Sequence, residues 1–435
     1  MMNVFPMTPI PALEKPTNAR KWVIVFAVTL AVLSYVSRVC IAQAAPDISK
    51  DLHLTDQEMG QIFGAFGISY ALFEIPSGLL GDWIGARKVL LRIVLWWSAF
   101  TALTGSMWSF ASLWVVRFLF GAGEAGGFPN LTKIFTIWLP HRERLRAQAI
   151  MWTSARWSGA FTPKLVFLVL MIMSWRSAFV FFGAIGVIWA AVFWWWFKDD
   201  PHTHPSVNEA ERRLIGDTGA HASGHGDVPW AKVLASRSVW LLWLQYFCMS
   251  FPWYFYITWM PSYLKNHWKL PAAEATTLAI LPLFLGGLGS AFCGWVSRPL
   301  ARLTGSVTMS RRILACMGFV GAGLMMIVAI QMKEAKWAMF AMGLSSFFND
   351  LAMPPSWAAC MDIGGKYAGT LSGSMNMMGN LAGYASPVVG GYIVHGDPSR
   401  YGIFLYVLAG VYFVGTLCWP LLDPVTPVDP DGHDV

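Results

Sequence analysis

Charge is what this sequence lacks. Only 13% of its 435 residues are Asp, Glu, Lys or Arg, whereas 56% are hydrophobic, and the mean hydropathy is +0.50. Soluble domains carry about 25% charged residues, so a chain this poor in charge cannot solvate a globular surface of its size. Cysteine is scarce as well. Cys40, Cys248, Cys293, Cys316, Cys360 and Cys418 lie in or beside apolar runs and form no CxxC pair. That argues against a disulfide framework and a zinc site, and reads as small buried hydrophobes. Neither HExxH nor GxSxG occurs, so the usual constellations of a membrane enzyme are missing, and nothing calls for a cofactor.

What the chain does have is a succession of apolar runs. About 20 residues of helix cross the roughly 30 Å of a bilayer's hydrocarbon core. Runs near 22–45, 59–80, 88–107, 112–138, 147–173, 177–197, 239–261, 275–297, 312–331, 337–361, 367–395 and 401–422 read as twelve spans. Lys21, the following apolar run and Ala42-Gln43-Ala44 imitate a signal peptide, but Tyr35, Ser37 and Arg38 interrupt the run, so an uncleaved first helix is expected. Lys15, Arg20, Lys21, Arg87, Lys88, Arg142, Arg144 and Arg146 all fall on the side shared by both termini, which predicts cytoplasmic termini. The net charge of +7 therefore sets topology and does not indicate a nucleic-acid partner.

The longest hydrophilic stretch separates six spans from six. The expected organisation is a tail (1–21), a first six-helix bundle (22–197), a linker (198–237), a second bundle (238–422) and a second tail (423–435). His202, His204, His221 and His225 lie in the linker without fixed ligand geometry, and no metal is expected there; SVNEAERRLI within it predicts a short surface helix. The halves repeat weakly: Gly78–Asp82 corresponds to Gly294–Arg298, and Ala160–Pro163 to Tyr384–Pro387. Two repeats joined by a central linker suit bundles that rock around a shared site. Neither terminus offers the length of an added signalling domain.

Several charges fall inside the spans: Arg38, Glu74, Arg117, Glu124, Arg156 and Asp350. A charge at the bilayer centre costs about 2.5–3.5 kcal/mol on insertion scales, so each is expected to face a cavity or a partner. Arg117 and Glu124 are seven residues apart, hence on one helix face with about 10.5 Å of rise between them. That spacing is too long for a tight pair and suits two stations on one aqueous path. Lys133 and Lys164 lie nearer span ends, where long side chains snorkel.

The stretch GLLGDWIGARK, Gly78 to Lys88, combines glycines for close helix approach, Asp82 for a helix N-terminus or an arginine, and a basic pair that holds the loop inside. It resembles the cytoplasmic signature between helices two and three of the major facilitator superfamily. The finer resemblance is to the anion:cation symporters, which include bacterial hexuronate, galactonate and glucarate permeases, sialin and vesicular glutamate transporters. YVSRVCIAQAAPDI, MGQIFGAFGISYALFEIPSGLLGD, RFLFGAGEAGGFPN, RERLRAQ, YFCMSFPWYFYITWMPSYL and GTLSGSMNMMGNLAGYASP carry it across nearly the whole chain.

The resemblance implies an all-α membrane protein of twelve helices in two pseudo-symmetric six-helix bundles. It implies a bacterial inner-membrane symporter of organic anions, with Arg38 and Tyr70 at the substrate, Glu124 coupling protons with Arg117 as its partner, and the span-eleven asparagines on sugar hydroxyls. Three positions depart from the pattern. Ser37 stands where bacterial members often carry an aspartate, Glu74 where a neutral polar residue is common, and Arg298 at the acidic position of the second-half signature.

The chemistry of a pocket for an anionic sugar can be stated without the family. A carboxylate needs a fixed guanidinium, hydroxyls need amide and hydroxyl partners, and the ring needs an aromatic face. Arg38, Tyr35, Tyr70, Gln43, Trp357, Asn376 and Asn380 supply those types at cavity depth. Matching Pro163 with Pro387 sets Arg156 opposite Asn380, which makes Arg156 either a second anion contact or a structural cation. Gly78, Asp82, Arg87 and Arg298 are expected to serve gating. The function expected is import of a small carboxylated solute, most naturally a sugar acid, with protons, by a monomer in the bilayer. An organic-anion or organophosphate exchanger without proton coupling is the alternative.

Overall fold

The computed structural model describes residues 15–216, 228–394 and 397–429, and these form helices without a strand. The first half comprises α1 (Ala19–Leu52), α2 (Asp56–Ile84), α3 (Ala86–Thr104), α4 (Phe110–Glu124), α5 (Gly127–Trp138), α6 (His141–Ile172) and α7 (Trp175–Trp196). Two short helices follow, α8 (Glu209–Ile215) and α9 (Trp230–Ala235). The second half comprises α10 (Arg237–Thr258), the single turn α11 (Met260–Ser262), α12 (Ala272–Thr304), α13 (Val307–Gln331), α14 (Ala335–Gly364), α15 (Ala368–Val394) and α16 (Tyr401–Leu421).

Helix starts follow from local chemistry. Thr55 opens α2 with a capping box: its hydroxyl takes the Glu58 amide while the Glu58 carboxylate takes the Thr55 amide. Ser109 and Ser174 cap α4 and α7, and Asn208 caps the linker helix α8, which lies where SVNEAERRLI predicts it.

Seven described helices are long and apolar enough to cross a membrane by composition alone: α1, α2, α6, α7, α12, α13 and α16. The other five spans fall short for visible reasons. α3 opens with basic residues, α14 and α15 are rich in Gly, Ser and Asn that turn inward, and α10 is dense in Trp and Tyr. The fourth span, expected as one helix over 112–138, is broken into α4 and α5. Gly126 takes φ +84° at the break, and a Cβ there would meet Ser77.

The two halves meet through α2 against α15 and through α6 against α12. On the face that carries the linker, α2 and α15 are tightly joined, and a Cβ on Gly78 would collide with the backbone of Gly369. On the opposite face the same helices part. Gly60, Gly64 and Gly67 of α2 look into open space, while Tyr384 and Tyr392 of α15 are exposed. At its linker end the α2–α15 contact is tight, and at the other end these positions are exposed.

Candidate functional site: a buried ion pair in the first half

Ser34 and Arg38 are four residues apart on α1 and therefore share a face. That face turns to the end of α4, where Glu124 is the last helical residue. Arg38 Nε donates to Glu124 Oε1 at 2.9 Å, and the Ser34 hydroxyl donates to the same oxygen at 2.5 Å. The carboxylate is sealed, at 1% exposure, whereas the arginine side chain keeps 22%. Aromatic rings surround the guanidinium: Tyr70 at 4.5 Å, Phe66 at 5.3 Å, and Tyr35 and Phe128 at 5.8 Å from its carbon. Nε is the atom that binds the carboxylate, and the Tyr70 hydroxyl is a further hydrogen-bonding neighbour of the guanidinium. A guanidinium so placed offers the paired donors that a planar carboxylate accepts.

Arg117, two turns before Glu124 on α4, stays out of this pair. It is buried against the ring of Phe120, 4.4 Å away, and against Phe66, with no carboxylate within salt-bridge distance among the described residues. Its Nε finds no partner. The expected partnership of Arg117 with Glu124 is not formed, and the tight contact of Glu124 is with Arg38.

Across the interface, Arg156 of α6 grips Asp350 of α14 with two parallel bonds, Nε to Oδ2 at 2.5 Å and Nη2 to Oδ1 at 2.9 Å. Both side chains are buried, Asn349 adds a third bond, and the Trp253 ring lies 3.6 Å from the guanidinium carbon. The charge of Arg156 is answered by the protein, so the geometry supports the structural alternative over a second anion contact. Asn376 donates to Glu74 at 2.7 Å and accepts from Tyr246 at 3.4 Å. Asn380 accepts from Tyr254 at 3.0 Å, which leaves its amide nitrogen without a partner. Trp357 is wholly buried between Trp152 and Tyr246, and Gln43 is half-buried further along α1.

The linker face is closed by charge. Asp82 of α2 accepts from the Gly369 and Thr370 amides and the Thr370 hydroxyl, at the start of α15. Lys133 of α5 meets the same carboxylate at 2.9 Å. These are the unpaired amides of a helix N-terminus, where a carboxylate is favoured. The repeat-related contact has its sign reversed: Arg298 of α12 reaches Glu143, in the first turn of α6, at 3.4 Å. Glu143 also holds Arg20, and Arg20 holds Glu211 of the linker helix. A further lock, which the sequence reading did not isolate, centres on Asp362 of α14, clasped by Arg144 of α6 and Arg311 of α13. Arg87 does not cross the interface. It binds Asp199 through its amide and lies on Trp194 within the first half.

In the linker, His204 is committed to structure. Its Nε2 faces the Trp196 carbonyl, and its Nδ1 accepts from the Ser206 amide. Burial pushes this imidazole below its ordinary value. His221 and His225 lie outside the described residues.

The Major Facilitator Superfamily model matches residues 27–387, most of the chain. The chain belongs to that superfamily. It is 34% identical to a probable sulfoacetate transporter of Cupriavidus necator, over 91% of this chain and 92% of that protein. It is 30% identical to a probable galactarate/D-glucarate transporter of Escherichia coli K12, over 91% of this chain and 92% of that one. The crystal structure of the E. coli fucose:proton symporter superposes with a TM-score of 0.72 at 13% identity, covering 93% of this chain and 99% of that one, which speaks to the fold.

As a member of the superfamily, the chain is a multi-pass membrane transporter of a small anionic solute and not an enzyme. Within that frame the residues missed by sequence reasoning have recognisable signals. Ser34 sits one turn before Arg38. Asp362, like the Asp350 that the sequence singles out, is a carboxylate in a long apolar helix, the kind of residue that must find a cation.

Proposed function

We propose that this superfamily member imports a small organic anion, a sugar acid, together with protons by alternating access, from a bacterial inner membrane with both termini cytoplasmic and as a monomer. The observation that carries the reading is the Arg38–Glu124 pair, with its guanidinium partly exposed. Ionised Glu124 occupies the guanidinium that a substrate carboxylate would use. Protonation weakens that hold and frees Arg38 for the solute, so proton and anion load together. Tyr70 and Tyr35 supply the aromatic face, and the unpartnered amide of Asn380 is the donor for a hydroxyl. Asp82 and Arg298 hold the linker face shut while loading proceeds, and Gly78 permits the close approach; these contacts part when the bundles rock.

Relatives named for galactarate/D-glucarate, hexuronate and sulfoacetate support the anionic class, and the amides and aromatic rings beside Arg38 support a hydroxylated acid within it. Solute uptake into proteoliposomes under an imposed pH difference tests the reading. Uptake of a sugar acid above its gradient, lost when the pH difference is collapsed, is the expected result. Counterflow exchange indifferent to pH would replace it with the uncoupled exchanger.

A further inference from the structure

Glu74 is a carboxyl that the ion-pair site does not use. It lies on α2 with no exposure, midway along the contact with α15, and the backbone of Gly373 packs directly on its own carbonyl. Its Oε1 accepts one bond, from Asn376 Nδ2 at 2.7 Å, and its buried Oε2 finds no partner. It forms no ion pair among the described residues. A carboxylate taken out of water needs a cation or several strong donors, and one amide with the neighbouring Tyr70 hydroxyl, both neutral, does not meet that need.

The groups facing it make the same point. Its own helix brings Tyr70, α1 brings Arg38, α4 brings Glu124, and α10 brings Tyr246 and Tyr254. Arg38 is already engaged by Glu124, and the phenols are neutral. The other cations on elements packed against α2 are occupied or turned elsewhere: Arg92 donates to Ser77, Arg117 lies on Phe120, Lys133 holds Asp82, and Lys366 reaches Asp429. α15 itself contributes only amide and hydroxyl groups near this depth.

We propose that Glu74 is a proton-operated latch: the linker face closes only with this carboxyl protonated, and ionisation of Glu74 favours its opening. The latch rests on the transport reading only in that the linker face must open. Closed, the neutral carboxyl accepts from Asn376 and ties α2 to α15. Open, water reaches the group and solvates the anion. One proton is bound on closing, so the closed state is favoured at low pH and lost as pH rises through the point where the closed-state carboxyl ionises. Between the pH at which the open, water-exposed carboxyl ionises and the higher pH at which the closed one does, the open-to-closed ratio rises about tenfold per pH unit.

The amides of Gly369 and Thr370 are built-in reporters, because Asp82 protects them only while the face is shut. Hydrogen exchange of the peptide that spans them, corrected for intrinsic rate, is followed between pH 5.5 and 8.5 in wild type and in Glu74→Gln. Wild type should lose protection with rising pH, and Glu74→Gln, permanently neutral, should hold it flat. Glu74→Met, also without a titrating group, gives the same flat line should the glutamine variant not fold. Glu124→Gln should keep the wild-type slope. A wild-type slope in both Glu74 variants overturns the latch, as does a flat wild type. A slope abolished only by Glu124→Gln assigns the switch to that residue instead. The reading of Glu124 as coupling residue stands or falls separately, on uphill uptake.

Discussion

Arg38 and Glu124 lie 86 residues apart in sequence and share a bond of 2.9 Å, with the carboxylate sealed and the guanidinium still partly exposed. The arrangement makes Glu124 an internal competitor for the place where an anionic solute would bind. It also gives Arg38 a defined neutral resting state, which lowers the cost of keeping a cation at that depth.

Replacing Arg38 with lysine keeps a charge but loses the planar fork. Loss of one charge-assisted bond of about 1.4 kcal/mol corresponds to tenfold in affinity, so the half-saturating solute concentration should rise at least about tenfold. Uptake kinetics in proteoliposomes check this, and wild-type affinity in Arg38→Lys would place the carboxylate elsewhere.

Glu124→Gln mimics the protonated carboxyl permanently. Uphill uptake driven by a pH difference should vanish, while exchange of labelled for unlabelled solute persists. Continued accumulation against a gradient would remove Glu124 from coupling.

Asp82→Asn weakens the hold on the α15 amides and on Lys133 without touching the central site. The linker face should open more often, read as faster exchange at Gly369 and Thr370, while solute affinity in detergent changes less than about threefold. Loss of all binding by a folded Asp82→Asn protein would contradict a purely gating role.

Arg156→Gln strands the wholly buried carboxylate of Asp350. Breaking such a pair by removing one partner costs about 3–5 kcal/mol, so thermal stability should fall clearly. The double change with Asp350→Asn should recover much of it. A stable single variant with a raised half-saturation would restore Arg156 to the solute site.

Glu211 takes bonds from the Thr17 hydroxyl, the Ala19 and Arg20 amides and the Arg20 guanidinium, tying the linker helix to the start of α1. Burial opposes ionisation, but those donors win and hold the carboxyl below its usual range. A depressed value contributes stability above about pH 4.3, the ordinary value for Glu, and loses it as pH falls further. Glu211→Gln should therefore lower the melting temperature at pH 7 and reduce the loss of stability between pH 5 and pH 3. An unchanged melting curve would show the tie to be idle.

Composition and periodicity alone determined that this chain crosses a membrane, that it divides into two halves, and that Arg38, Glu74, Glu124, Arg156 and Asp350 each require a partner or a cavity. Those conclusions follow from the cost of charge in hydrocarbon and the geometry of one helix, both local properties. Tertiary structure alone decided the pairings. Arg156 and Asp350 are 194 residues apart, and nothing near either names the other. An ion pair is decided within about 4 Å, whereas the rotation and axial register of each helix are set by its packing against several neighbours. The break at Gly126 belongs to the same class. Its glycines were visible, but the exclusion of any side chain at Gly126 comes from the approach of Ser77 on α2 together with the left-handed backbone at the break.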